Sequence, residues 1–174
     1  MGRDKALLPL PEGPLAGRVA RAVAAAAGSA VLVGCPQRYG ALGYPAIPDL
    51  YPGEGPLGGI LTALAHTSAQ WNLLTACDMP GLTGTFLSAL LDAAEASGAD
   101  VLLPAGPSGR LEPLCGVYRK SAWAALHAAF AAGVRQASRA AGLAGLRTAP
   151  FQVSPAAVLQ NVNTPEEWAA HGFK

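Results

Sequence analysis

Apolar positions along this chain fall into blocks whose spacing switches between the period of a helix and that of a strand. In residues 14–27, Leu15, Val19, Ala22, Val23 and Ala26 share one helical face, with Pro14 near the first turn and Gly28 just past the end. That pattern predicts a helix with its stop. Residues 30–34 then read as a short apolar strand, and residues 44–47 as a weaker extended piece. Residues 48–59 hold so much proline and glycine that they predict a shaped loop, leading into a helix over about 59–66.

The second half continues the alternation. Trp71-Asn72-Leu73-Leu74-Thr75-Ala76-Cys77-Asp78 predicts a central strand ending on a carboxylate. Thr83 caps a helix whose apolar face is Phe86, Leu87, Leu90 and Leu91, and Gly98 stops it. Residues 101–104 read as a buried strand, and residues 113–118 as a sixth extended segment after a Ser108-Gly109 turn. Ser121 opens an alanine-rich helix closed by Gly133; a short helix over 135–141, an edge-type strand over 146–153 and a final helix after Thr164 follow. The last start is a capping box, with Thr164, Pro165 and Glu167 in their places. Strands alternating with helices in this way predict an α/β fold, an open and largely parallel sheet covered on both faces, in one domain over residues 1–174. Ligands of such sheets sit beyond the carboxyl ends of the strands.

Composition narrows the class. With 174 residues, 51% of them hydrophobic, and a mean hydropathy of +0.30, the chain can bury a substantial core. No run of about 18 uncharged apolar residues and no leader pattern is present, so a cytoplasmic protein without a membrane role is expected. Net charge is +1 and the basic residues are scattered singly, which argues against nucleic-acid binding. A polyphosphate ligand would have to be met locally, by a lysine, a helix N-terminus and a metal ion. Cys35, Cys77 and Cys115 show no Cys-x-x-Cys pair and read as small buried thiols.

Several positions carry candidate chemistry, each with a plainer alternative. Lys5 sits in Met1-Gly2-Arg3-Asp4-Lys5, the second half of a phosphate-binding loop or else an ordinary exposed terminus. Asp78 stands at the carboxyl edge of a strand, where it either holds a hard cation or caps the turn Met79-Pro80-Gly81. Asp49 either ligates or forms an Asx turn. Gly55-Pro56-Leu57-Gly58-Gly59 brings backbone without side chains to a helix start, which suits an anion or a planar base as well as tight packing. Asn161 and Asn163 project together from an extended segment, to read a ligand or to satisfy the loop. Arg135 and Arg139, one turn apart, either meet a phosphate or form a solvated face. His66, His127 and His171 lack metal spacing, and no serine has the surroundings of a hydrolase nucleophile.

Taken together, Met1-Gly2-Arg3-Asp4-Lys5-Ala6-Leu7, Asp49 with Gly55-Pro56-Leu57-Gly58-Gly59, Ala76-Cys77-Asp78-Met79-Pro80 and Asn161-Val162-Asn163-Thr164-Pro165-Glu166-Glu167 resemble, in order and spacing, the molybdenum cofactor guanylyltransferases. The resemblance spans the chain. Related nucleotidyltransferases share the lysine loop and the aspartate after the strand; the Asn-Val-Asn ending with the Gly-Pro-Leu-Gly-Gly run is the more particular signal. It implies a three-layer αβα, Rossmann-like nucleotidyltransferase fold with a mostly parallel central sheet. It also implies transfer of GMP from GTP to molybdenum-loaded molybdopterin, with pyrophosphate leaving. By this resemblance Lys5 and Asp78 are catalytic, with Lys5 on the nucleotide phosphates and Asp78 binding Mg2+. Asp49, Gly55, Pro56, Gly58 and Gly59 hold the guanosine, and Asn161, Asn163 and Arg135 lie toward the pterin. Molybdenum-insertion proteins or molybdoenzymes are the partners it implies.

The chain departs from that pattern in three places. The family's first strand and the Leu-Ala-Gly-Gly-x-Ser-x-Arg opening of its loop are missing before Met1, so the expectation is a chain shortened at its N-terminus, with flanking strand edges exposed, lower stability than a longer form and weakened nucleotide binding. Gly34 stands where relatives can carry a polar residue, so a side-chain contact to the nucleotide there is expected to be lost, and Glu112-Pro113 replaces a His-Pro pair common in the family. Two alternatives follow: a non-catalytic module that keeps pterin or partner contacts, and a nucleotidyltransferase that uses CTP or a sugar phosphate.

Overall fold

A computed structural model describes residues 4–154 and 156–162 of the chain; the expected final helix with its Thr164 capping box, together with Asn163 and His171, lies outside the described residues. A 3-10 turn at Lys5–Leu7 leads into a small antiparallel hairpin, β1 (Pro9–Leu10) with β2 (Gly13–Pro14), then α1 (Leu15–Ala27). β3 (Leu32–Val33), α2 (Pro36–Tyr39), a second 3-10 turn at Gly40–Leu42 and β4 (Ala46–Ile47) follow, and β3 pairs with β4 in parallel. Next come α3 (Pro56–His66), β5 (Trp71–Thr75), α4 (Gly84–Ser97) and β6 (Val101–Ala105). The chain continues with β7 (Cys115–Arg119), α5 (Ala122–Ala131), α6 (Ala137–Leu143), β8 (Thr148–Gln152) and a 3-10 turn at Ala156–Leu159.

The larger sheet has the order β5-β7-β6-β8. β7 runs antiparallel to both β5 and β6 while β8 runs parallel to β6, so three of the four strands point one way and β7 opposes them. Side chains alternate across it with the period of two that a pleated strand imposes. Val101, Leu103 and Tyr118 join α3, α5 and α6 in one core; Leu102, Cys115 and Val117 join α1 and α4 in the other. The result is helices on both faces of the sheet. β6 and most of β7 are buried, whereas every residue of β5 is half-buried, because β5 has a strand partner on one edge only among the described residues.

Local signals explain where the helices begin and end. Thr83 caps α4 by accepting the Phe86 N–H at 3.2 Å, and Gly28 and Gly98 end α1 and α4 in the left-handed conformation that costs glycine nothing. α3 starts at Pro56, three residues earlier than the sequence suggested, because proline at N1 is already set for a helix. The short helix α6 begins at Ala137, not Arg135, so Arg135 and Arg139 do not share a helical turn. Ser121 precedes α5 without making a side-chain cap. At the far end of the sheet the paired residues Trp71 and Arg119 also stack, the guanidinium lying 4.4 Å from the indole centroid. Among the described residues no helix is long and apolar enough to cross a membrane.

Gly116 sits in β7 where a Cβ atom would stand 2.5 Å from Leu103 Cδ2 and 3.2 Å from the Leu102 carbonyl oxygen. Leu103 is fully enclosed and has nowhere to move. Gly116→Ala is therefore expected to lower unfolding free energy by about 1–3 kcal/mol through overpacking, read by chemical denaturation; an unchanged midpoint would contradict this packing.

Candidate functional site

The site starts where β5 stops. The Ala76 N–H donates to the Leu114 carbonyl at 2.6 Å, the last tie to the β7 side, and Cys77 and Asp78 then leave the sheet. Met79 and Leu82 are buried and the Leu82 N–H donates to the Met79 carbonyl, so the turn after Asp78 is closed by backbone. Arg18 Nε, from α1, donates to the Pro80 carbonyl at 3.0 Å and holds the turn from outside. Asp78 is thus spared the turn-capping role. Its Oδ1 is buried and makes no hydrogen bond with any described residue, and the same holds for Asn161 Oδ1. The Val162 N–H donates to the Asp78 carbonyl at 2.9 Å, which seats the segment carrying Asn161 on the end of β5.

Orphaned buried oxygens cost about 1–3 kcal/mol each, so two of them in adjoining segments are a preference for a ligand that accepts oxygen lone pairs. Carboxylate and amide oxygens are the donors a hard divalent cation takes. Among the described residues no cluster of three or more His, Cys, Asp or Glu side chains is arranged to cage a metal by itself. The donor set therefore fits a cation that draws its other ligands from phosphate oxygens and water.

Across from Asp78 runs a cleft of about 530 Å³, lined by α1, β3, β5 and the start of α3. Asp49, Gly55, Pro56, Gly59 and Asp78 all line it. Asp49 is more than a ligand candidate. Its Oδ1 accepts the Tyr51 N–H at 3.0 Å, an Asx turn, and lies 2.8 Å from the hydroxyl of Thr62. Thr62 is buried on α3; its hydroxyl accepts the Leu50 N–H at 3.1 Å and shares its proton between Asp49 and the Gly58 carbonyl. One threonine thus fastens the whole loop to α3. Gly58 does not line the cleft: a Cβ there would stand 2.9 Å from Tyr51 Cβ, so this glycine lets the loop close on the helix. Gly55, at φ +81°, makes the sharp entry to Pro56 that only glycine adopts readily.

Arg135 belongs to this loop as well. It donates to Glu54 Oε2 at 2.6 Å and to the Phe130 carbonyl at 2.8 Å, with its guanidinium 4.1 Å from the Phe130 centroid. Tyr51 packs on the same phenyl ring at 4.9 Å. The structure places Arg135 beside the Gly55 turn, whereas Asn161 stands at the end of β5. His127 stacks on Trp123 at 4.7 Å inside α5, a packing role, and His66 sits exposed on the last turn of α3.

Lys5 occupies a 3-10 turn capped by Asp4, whose Oδ1 accepts the Ala6 N–H at 3.1 Å. Asp4 Oδ2 accepts the Tyr39 hydroxyl at 2.8 Å and Arg38 Nη1 at 3.0 Å. Burial alone would raise the Asp4 carboxyl, but the hydrogen bonds from Tyr39, Arg38 and Ala6 outweigh it and hold it below its ordinary value. The turn lies within electrostatic reach of Cys77. Burial pushes that thiol up to about 11, the charges of Asp78 and Asp4 push the same way, and Lys5 opposes them. Cys115 is raised to about 12, by burial first and Glu112 second. Cys35 and Cys77 depart from the expectation of three buried thiols: Cys35 is exposed, because it follows a two-residue edge strand and opens α2, and Cys77 is half-buried on the wall of the cleft.

The sequence did not single out Thr62, Arg38, Tyr39 or Asp4. Thr62 had a usable signal, a lone hydroxyl on the apolar face of a helix. The Asp4 contacts span 34 and 35 positions and leave no local trace.

Comparison with known proteins shows the family and the overall fold. The model of the MobA-like NTP transferase domain matches residues 1–148. A probable molybdenum cofactor guanylyltransferase of Carboxydothermus hydrogenoformans is 36% identical over 121 residues, 70% of this chain and 60% of that protein. The molybdenum cofactor guanylyltransferase of Rhodobacter capsulatus is 38% identical over 178 residues, 97% of this chain and 86% of that one. Among solved structures, the molybdopterin-guanine dinucleotide biosynthesis protein A of Archaeoglobus fulgidus superposes with a TM-score of 0.78 at 25% identity, covering 97% of this chain and 89% of that one. The chain spans about 60% of the length of the first curated relatives that it matches.

Two outcomes test the site. Thr62→Val removes the hydroxyl that serves Leu50 and Asp49, and is expected to cost about 1–2 kcal/mol in chemical denaturation and to speed hydrogen exchange at Leu50 and Tyr51, while Thr62→Ser keeps both near the parent values. With its folded-state value near 11, the Cys77 thiol at pH 8 is about one part in a thousand thiolate, and the thiolate grows only as pH rises. Iodoacetamide at pH 8 is expected to label Cys35 in the native chain and to reach Cys77 and Cys115 only after denaturation; mass spectrometry of the labelled peptides checks this.

Proposed function

The chain belongs to the MobA-like NTP transferase family, and from that premise we propose that residues 1–174 act as one nucleotidyltransferase domain that transfers GMP from GTP to molybdenum-loaded molybdopterin and releases pyrophosphate. The observation that carries the reading is the buried, unpartnered Oδ1 of Asp78 at the end of β5, beside a cleft that Asp49, Gly55, Pro56 and Gly59 also line. In this reading the cleft takes the guanosine. The Gly55 turn, with no side chain in the way, brings the backbone start of α3 against the nucleotide. Asp49 is held by Thr62 so that its loop keeps one shape, which limits the freedom lost when the nucleotide binds.

The reaction joins a phosphate oxygen of molybdopterin to the α-phosphorus of GTP while the bond from that phosphorus to the bridging oxygen of pyrophosphate breaks. The attacking oxygen is already anionic, so no side-chain nucleophile is required, and the protonated Cys77 is not one. Positioning and charge carry the step. Lys5 places an ammonium against the nucleotide phosphates. Asp78, with Asn161 beside it, would hold a magnesium ion, which supplies charge neutralisation on the phosphate oxygens. In this reading Asn161 and Asn163 serve the pterin, and Arg135, fixed by Glu54, acts for that substrate only through the loop it braces. Molybdenum-insertion proteins or molybdoenzymes are the partners this reading assigns.

The test is a turnover assay with GTP, magnesium and molybdenum-loaded molybdopterin, following both pyrophosphate and the dinucleotide. Asp78→Asn is expected to lower the rate at least about 100-fold with little change in thermal midpoint. A wild-type chain that forms no dinucleotide, or an Asp78→Asn variant as fast as wild type, would sink the reading. The same assay run with CTP in competition decides the base.

A further inference from the structure

Asp4 is the residue before the proposed phosphate-contacting lysine, and its contacts tie that lysine's turn to a distant segment. Its two carboxylate oxygens do separate jobs. Oδ1 accepts the Ala6 N–H and so closes the turn on which Lys5 sits. Oδ2 accepts both Tyr39 Oη and Arg38 Nη1, from α2, the helix that follows β3. An acceptor that receives one charged and one neutral donor on the same oxygen is fixed in two directions, more firmly than by a single ion pair. Asp4 keeps a quarter of its side chain exposed (24%) and Arg38 more than half, so water dilutes the Arg38 pair while the Tyr39 bond is partly shielded.

The other end of the link is equally constrained. Tyr39 reaches Asp4 because its ring lies over Gly34, where a Cβ atom would stand 2.7 Å from Tyr39 Cε2. Gly34 has φ +155° and its N–H donates to the Ile47 carbonyl at 2.8 Å, which ties this corner to the β3–β4 pair. Gly34 is thus the residue that admits the tyrosine. A rigid path runs from β3 through Gly34 and Tyr39 to Asp4, and from Asp4 through one N–H bond to the Lys5 turn. The Lys5 turn packs on α1, and α1 packs in turn on β5, the strand that ends at Asp78.

We propose that Asp4, gripped by Tyr39 and Arg38, is a positioning residue that sets the Lys5 turn against the Asp78 end of β5 and thereby fixes where a triphosphate is held. The proposal rests on the reading of Lys5 as a phosphate contact. It assigns to Arg38 and Tyr39 a role exerted through Asp4 and not by touching the nucleotide. It also explains an arrangement that charge alone disfavours. A carboxylate beside a lysine competes with phosphate for the ammonium, and an arginine and a tyrosine hydroxyl on that carboxylate reduce the competition.

The experiment uses the full chain and the variants Asp4→Asn, Tyr39→Phe and their combination. Two properties are followed: calorimetric affinity for GTP, tripolyphosphate and guanosine, and hydrogen exchange at Ala6 to Leu8 against exchange in β5. Asp4→Asn is expected to weaken GTP and tripolyphosphate about tenfold and guanosine less than twofold, with faster exchange at Ala6 to Leu8 and unchanged exchange in β5. Tyr39→Phe is expected to weaken GTP about threefold, and the double variant to be no weaker than Asp4→Asn, because both act through one carboxylate. Equal weakening of guanosine and GTP, full additivity, or unchanged exchange in the turn would each overturn the proposal. A wild-type chain that binds neither GTP nor tripolyphosphate overturns the nucleotide reading and this proposal's triphosphate role with it; the exchange data then still report whether Asp4 pins the turn.

Discussion

The antiparallel ladder between β5 and β7 is the constraint on which the rest of the molecule depends. Five residue pairs, from Trp71 with Arg119 to Thr75 with Cys115, fix where β5 ends and therefore where Cys77 and Asp78 emerge. The register cannot slip. β7 sends Cys115 and Val117 to the α1–α4 side and Tyr118 to the α3–α5 side, and a shift by one residue would exchange these faces and bury the wrong set. Gly116 completes the lock, since Leu103 leans across the place where a side chain would be. A carboxylate delivered by such a ladder inherits the precision of the core.

The two walls of the cleft are held by different physics. The β5 wall rests on paired strands and close-packed apolar side chains. The opposite wall, from Asp49 to Gly59, rests on a few polar bonds through Thr62 and on one stacked assembly of Tyr51, Phe130 and Arg135 with Glu54. Leu50, exposed at 58%, and Glu54 point away from any core. Apolar packing is dense and intolerant of change, whereas a hydrogen-bonded loop opens at a lower energy. Adjustment on ligand binding belongs to the loop wall, and reference geometry belongs to β5.

What the sequence revealed follows from the range of the interaction concerned. α1 and α4 were visible because their stops at Gly28 and Gly98, the cap at Thr83 and the helical spacing of apolar residues all act within a few positions. Asp78 was visible because five apolar or small residues before it spell a buried strand. The opposing direction of β7 was not, since nothing in Cys115 to Arg119 records which neighbour it meets or in which sense. The proline at position 56 moved the start of α3 earlier than the glycine pair suggested, as its ring already holds the helical φ. Cys35 was misjudged because an apolar run of four residues signals a strand without saying whether that strand has a covered face. The Asp4 contacts and the Thr62 hub required the fold itself, because each joins segments that only tertiary packing brings together.

In a protein of near-zero net charge, a charged ligand has to be met locally, and three arginines of this chain are paired away from Lys5. Arg18 is engaged by Glu12 and Pro80, Arg135 by Glu54, and Arg147 by Asp100. Each pair is partly exposed and adds little to stability, about 0–1 kcal/mol. Its larger effect is to reduce the field that these cations project toward the cleft. Asp4 with Arg38 extends the same logic to the site's own border, where an acidic side chain next to Lys5 is given donors of its own. With a net charge of +1 spread over 174 residues, the proposed function makes attraction for polyphosphate depend on a short list of groups, the Lys5 ammonium, the start of α3 and a cation at Asp78. On that proposal selectivity arises from their placement, to which the β5–β7 ladder and the Asp4 contacts would both contribute.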